Sequence, residues 1–272
     1  MCECVFINLG RVKIMITTNI ENITPEVAAG FILLSCGNRR LKEDKVRGYM
    51  RDMKEGRWMP NGESIIFDAS GALIDGHHRL TAAVRAGFSF QSVVVRGVAP
   101  ESLKTIDTGS SRSSNDLLMF SGYKNANQLN AIVRALMSLK KGKVRSAIPT
   151  SQEVFDFISQ NPLTIDAARF VGSNTFTKIT PMIGALYVVA HEQGRGDDIY
   201  RFAKVFRSGV PSYDGCPAHV LRERILSAAV RGNPLSIREA FNLCANAWDR
   251  FSAGDAIQRV SLRKSFSVAG YE

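Results

Sequence analysis

The apolar residues of this chain change their period once, and that change narrows the fold more than any single motif does. In 64-SIIF-67, 72-ALI-74 and 91-QSVVVRGV-98 they fall in short runs rich in β-branched residues and bounded by turn chemistry, the pattern of buried strands. The first two runs read as a hairpin around Asp68-Ala69-Ser70-Gly71. Thr24-Pro25 predicts a helix start, with Thr24 as cap and Pro25 in the first turn, running to about Ser35 over Val27, Phe31, Ile32 and Leu34. A second helix is predicted across 43-EDKVRGYMRDMKEG-56, with Val46, Tyr49, Met50 and Met53 at helical spacing and Gly56 as its stop. A third runs from Arg79 to about Ala86 and is closed by Gly87. Residues 20–110 are therefore expected to mix sheet and helix.

After residue 110 the strand signal nearly vanishes. Asn125 or Asn127 caps a helix whose apolar face is Leu129, Ile132, Val133, Leu136 and Met137. Capping boxes are predicted at Thr150 with Glu153 and at Ser236 with Glu239, Thr180-Pro181 opens another helix, and further helices fit 197–207 and 217–231. The small polar stretch 108-TGSSRSSND-116 marks the boundary between an α+β domain at 1–110 and an α-helical domain at 111–272. The tail after Gly254 is expected to be extended and loosely held.

A chain of 272 residues with 45% hydrophobic content can bury two modest cores. Its five cysteines are odd in number and scattered, which argues against a disulfide framework or a four-ligand zinc site and for a reducing cytoplasm. No apolar run approaches the roughly 20 residues of a membrane span, so no membrane partner is expected. The net charge of +10 is concentrated: residues 111–145 hold 7 Lys and Arg against 1 Asp or Glu, whereas 14 face 12 on either side. Lys140, Lys141, Lys143 and Arg145 follow the amphipathic helix. Clustered cations of this kind suit DNA, because they release condensed counterions from its backbone; an ordinary solvated helix face is the plainer alternative. Tyr123 and Lys124 adjoin the segment.

The chemistry concentrates in 71-GALIDGHHRLTAAVRAG-87. A strand ending at Ile74, a turn through Asp75, Gly76, His77 and His78, and a helix starting near Arg79 put backbone N–H groups and the positive end of a helix dipole at one place, where anions collect. Gly76 permits close approach, Arg79 can fork onto phosphate oxygens from an exposed turn, and the histidines can donate hydrogen bonds or exchange protons. Asp75 makes sense there as a ligand to a divalent cation or as a base towards a hydroxyl. The plainer reading has Asp75 as helix cap, the histidines as polar groups of the first turn and Arg79 as a surface ion-pair partner. The adjacent histidines lack the spacing of two zinc ligands on one helix face. Trp58 is expected to pack under the sheet, and His191 and His219 to be ordinary helical residues.

The order Asn38-Arg39-Arg40, a helix ending at Gly56, 61-NGESIIF-67 and 74-IDGHHRLTAAVRAG-87 resembles the ParB/sulfiredoxin-like superfamily over about residues 20–110. The whole chain, with 105-TIDTGSSRSS-114 and 121-SGYKNAN-127, is also similar to ParB-like proteins of phages and mobile elements. The resemblance implies a nucleoside triphosphate, ATP or CTP, with Mg at the turn: Gly76, His78 and Arg79 near the phosphates, Arg39 and Arg40 near the pocket. Sulfiredoxins place a reactive cysteine where His77 stands, so that chemistry is not expected. The Asp75-Gly76-His77-His78-Arg79 run is most similar to the turn of free-serine kinases. It implies phosphoryl transfer or hydrolysis with Asp75 and Glu63 as candidate base or metal ligand and His77 beside them. A DNA-binding module with a nucleotide switch, a ParB-like nuclease and a homo-oligomer stay open as alternatives; the sequence offers the nuclease no multi-carboxylate metal site.

Overall fold

The structure is a computed structural model, and it describes residues 3–9, 12–35, 41–104, 112–143, 148–172 and 177–271. It is an α+β protein in two compact units, Met1–Ser111 and Arg112–Glu272. Among the described residues no helix is long and apolar enough to cross a membrane.

The first unit opens on a hairpin of β1 (Glu3–Leu9) and β2 (Val12–Ile23), in addition to the strands expected from the sequence. Then follow α1 (Pro25–Leu33), α2 (Glu43–Lys54), β3 (Ile65–Asp68), β4 (Leu73–Asp75), α3 (His77–Ala86) and β5 (Phe90–Val98). The sheet order is β1-β2-β5-β3-β4. Neighbouring strands are antiparallel except β3 and β5, which run parallel because β4 and α3 intervene and return the chain. Ile23 pairs with Phe90, and these two join Ile65, Phe67, Leu73 and Val94 in one core with Ala28, Val46, Met53 and Leu80 of the helices. Local chemistry sets the element ends: the Thr24 side chain accepts from Val27 N–H, and Asp68 Oδ1 accepts from the N–H groups of Ser70 and Ala72 across the β3–β4 turn.

The second unit is helical throughout its described elements: α4 (Ser114–Phe120), α5 (Ala126–Lys140), α6 (Ser151–Gln160), α7 (Leu163–Gly172), α8 (Thr180–Glu192), α9 (Gly196–Ser208), α10 (Pro217–Val230) and α11 (Ile237–Ser252). The expected stripe of α5 is buried at Leu129, Ile132, Val133 and Leu136, and both expected capping boxes form. A third box joins Ser113 to Asp116 inside the stretch read as a boundary. α8 is apolar on every side and buried from Met182 to Ala190, so it forms the centre of the unit. A Cβ on Gly184 would lie 2.4 Å from Ile132 Cδ1, so glycine is what lets α5 and α8 cross closely.

The tail corrects one expectation. Residues 257–271 form no helix but are firmly held, because Val260, Phe266, Val268 and Tyr271 are buried and three polar side chains of α11 grip the backbone. A loose tail would need polar residues at those four positions.

Candidate functional site

The turn before α3 differs from expectation in its start. The helix begins at His77, not near Arg79, and its cap is Gly76, while Asp75 ends β4. Gly76 has φ of 105°, and a Cβ there would meet Ile65 Cγ1 at 3.1 Å, so both conformation and space call for glycine. The first N–H groups of an α-helix have no acceptor within the helix. Gly76 has no side chain to cap them and the first turn of the helix contains no acid, so the positive end of the helix dipole meets no carboxylate within the helix itself.

Each flanking side chain has a definite place. Nδ1 of His77 is shielded from solvent and has no hydrogen-bond partner among the described residues; burial pushes its pKa below the ordinary value, so the ring is neutral near pH 7. Thr81 Oγ1 donates to the His77 carbonyl at 2.8 Å. His78 turns the other way: its Nε2 accepts from Lys42 N–H at 3.0 Å, across to the cap of α2, which assigns its ring proton to Nδ1.

Arg79 requires the largest correction. It is not on an exposed turn; 5% of its surface is accessible, and its guanidinium donates from Nη1 to the Glu63 carbonyl at 2.7 Å and from Nη2 to the Ser64 carbonyl at 2.6 Å. The helix periodicity that buries Leu80, Ala82 and Ala83 also carries Arg79 inward, and the fork meets the carbonyls where the chain enters β3. Ser92 Oγ donates to the same Glu63 carbonyl. The carboxylates then gather around this cation, Asp75 Oδ2 at 3.4 Å from Nη2 and Glu63 Oε2 at 3.8 Å from Nε. Both retain solvent access, with side chains 33% and 62% exposed.

Asp75, Glu63, Gly76, His77 and Arg79 are thus assembled at one end of the sheet, while Arg39, Arg40 and Arg145 lie outside the described residues. No protein-family model, curated protein or solved structure matches the chain.

Among the described residues no group of three or more His, Cys, Asp or Glu forms a metal site. Mg is commonly held by one or two carboxylates together with ligand phosphates, and Asp75 with Glu63 fits that reduced requirement. Beside them is a recess of about 120 Å³ lined by Trp58, Met59, Asn61, Glu63, Arg79 and Gln91, which the sequence reading did not anticipate. Trp58 packs edge-on against Tyr49 and Phe90, as expected of a residue under the sheet, and also borders this recess.

In the helical unit Lys140 is partly engaged: its ammonium lies over the rings of Phe157 and Tyr271 at 5.4 and 5.9 Å. Lys141 and Lys143 are exposed past the end of α5. Among the described residues none of Lys124, Arg134, Lys141 and Lys143 has a carboxylate partner, in contrast to Arg169, Arg201, Arg250 and Arg263 of the same unit.

Proposed function

We propose that the N-terminal unit is a nucleotide-binding domain of ParB/sulfiredoxin-like type. It holds the phosphates of a nucleoside triphosphate, ATP or CTP, at the first turn of α3, and it transfers or hydrolyses the terminal phosphoryl group. The observation that carries this reading is the first turn of α3 behind Gly76, which has no cap side chain at Gly76 and no acid of its own, a place where backbone N–H groups and the helix dipole favour an anion. Arg79 serves it by position, since its fork ties α3 to β3 and keeps Glu63 and Asp75 beside the turn. Asp75 and Glu63 would hold Mg together with the nucleotide, and the cation would supply the charge neutralisation that two carboxylates facing a phosphate require. Asp75 or Glu63 takes the proton of the attacking hydroxyl as its oxygen bonds to the terminal phosphorus and the bridging oxygen leaves with its electron pair.

The test is the melting temperature of the protein with ATP, CTP or GTP, with and without Mg, since a ligand of the native state raises it. A shift with at least one nucleotide is expected. No shift with any of them rejects the reading. His77→Asp is the matching variant: a carboxylate in the first turn suits the helix dipole but repels phosphate, so the fold should persist and the nucleotide-induced shift disappear. Asp75→Asn should bind and fail to turn over.

A second reading, duplex DNA at the helical unit, is favoured by Lys141 and Lys143, which are exposed and have no carboxylate partner among the described residues. It does not compete for the same residues.

A further inference from the structure

The end of α5 and the C-terminal segment, far apart in sequence, meet in space. A Cβ on Gly142 would lie 3.9 Å from the Phe266 carbonyl oxygen, and the Tyr271 ring sits under the Lys140 ammonium. The segment is held there through its backbone. Asn242 Oδ1 accepts from Arg263 N–H at 2.7 Å, and its Nδ2 donates to the carbonyls of Arg263 and Ser265 at 3.1 and 3.3 Å. Asn246 Nδ2 donates to the Ser261 carbonyl at 2.7 Å, and Asp249 Oδ1 accepts from Ala269 N–H at 3.0 Å. Spaced at 242, 246 and 249, these side chains share one face of α11. The consequence is to bring 264-KSFS-267 alongside 140-KKGK-143. Lys264 is exposed and, like Lys141 and Lys143, has no carboxylate partner among the described residues. The Ser265 and Ser267 hydroxyls lie 3.5 Å apart beside it.

We infer that the docked tail and the end of α5 form one site for the phosphate backbone of duplex nucleic acid, gripped by Lys141, Lys143 and Lys264 with Ser265 and Ser267 as neutral donors. The inference rests on the second reading above and adds to it a residue and an element outside the basic segment. Two observations select the duplex. Of the rings at the site, Phe266 and Tyr271 are buried and the half-buried Phe157 is covered by the Lys140 ammonium, so no open aromatic platform is offered to the bases of a single strand. Within residues 257–271 Leu262 alone is a large apolar side chain in the open, at 54%, too little for insertion into a membrane surface. Asn242 is a positioning residue here: it touches no phosphate and acts by holding Arg263 and Ser265.

The experiment measures binding of the full chain to a mixed-sequence duplex at several salt concentrations. Lys141→Gln with Lys143→Gln should reduce the slope of log affinity against log salt by roughly 1.8, and Lys264→Gln alone by roughly 0.9. Asn242→Ala changes no charge, yet should lower the slope towards that of Lys264→Gln while the protein remains folded by its far-ultraviolet circular dichroism. A parental slope retained by Lys264→Gln, with the paired variant reduced, overturns the tail's part and leaves the second reading standing. No duplex binding by the parent at low salt overturns both, as does binding only to phosphatidylserine vesicles or only to single strands. Lys264→Gln tests the proposal even if Asn242→Ala fails to fold.

Discussion

Arg79 shows how much depends on the direction of one side chain. With the guanidinium inside, Arg79→Ala strips donors from the Glu63 and Ser64 carbonyls, so it should destabilise the protein by about 2–4 kcal/mol in urea unfolding rather than leave the fold untouched. Arg79→Lys should recover only part, because a single ammonium does not reproduce the fork. A variant as stable as the parent would place the guanidinium outside. His77 makes a pH prediction. Its pKa is lowered in the folded state, so below the ordinary value of 6.5 the unfolded chain takes up a proton that the folded chain refuses. Its contribution is therefore full above 6.5 and is lost as pH falls from 6.5 towards the lowered value. His77→Gln should flatten that part of the stability profile, measured by urea midpoints from pH 7.5 to 5. The residue types at both positions suggest phosphate chemistry in the sequence. Their orientations are not legible there, because the acceptors of Arg79 are carbonyls 15 and 16 residues away.

At the scale of elements, what the sequence showed was mostly local in origin. The Ser236 box needs only Ser236 and Glu239, so its helix start could be read directly. Ser236→Ala should cost about 1 kcal/mol, seen as a lower urea midpoint. Gly76→Ala should cost more than that and by another route, since it combines a positive φ with a contact at 3.1 Å to Ile65. A similar loss at both positions would argue against the crowding at Gly76. The β1–β2 hairpin went unread for a physical reason. The stretch 12-VKIMITTNIENI-23 is nearly continuous in apolar and β-branched residues over its first half, and period alone does not separate a strand from a helix there. Its pairing with β5, from Thr17 opposite Arg96 to Ile23 opposite Phe90, is what makes it a strand. The reverse holds for α8, whose all-round apolar sequence specifies burial but not which helices cover it.

At the scale of the molecule, the two units have separate cores, and each contains one tryptophan: Trp58 packs against the first, and Trp248 lies inside the second. In Trp58→Phe and Trp248→Phe variants, each remaining tryptophan reports its own unit. ATP or CTP with Mg should raise the midpoint reported by Trp58 and leave that reported by Trp248 in place; equal shifts in both would tie the nucleotide to the whole chain rather than to the α3 turn. The sequence by itself determined the α+β class, the change from sheet to helix, most helix ends, the β3–β4 turn and the glycine before α3. Each follows from residues within a few positions of one another, where backbone preference and side-chain capping act without help from the fold. Only the tertiary structure decided that Arg79 faces inward, that His78 serves α2, that Glu63 joins Asp75, and that the tail lies along α11 beside Lys141 and Lys143. Those outcomes turn on partners 12 to more than 100 residues apart, and burial and backbone hydrogen bonding choose among directions that the local sequence leaves equally open.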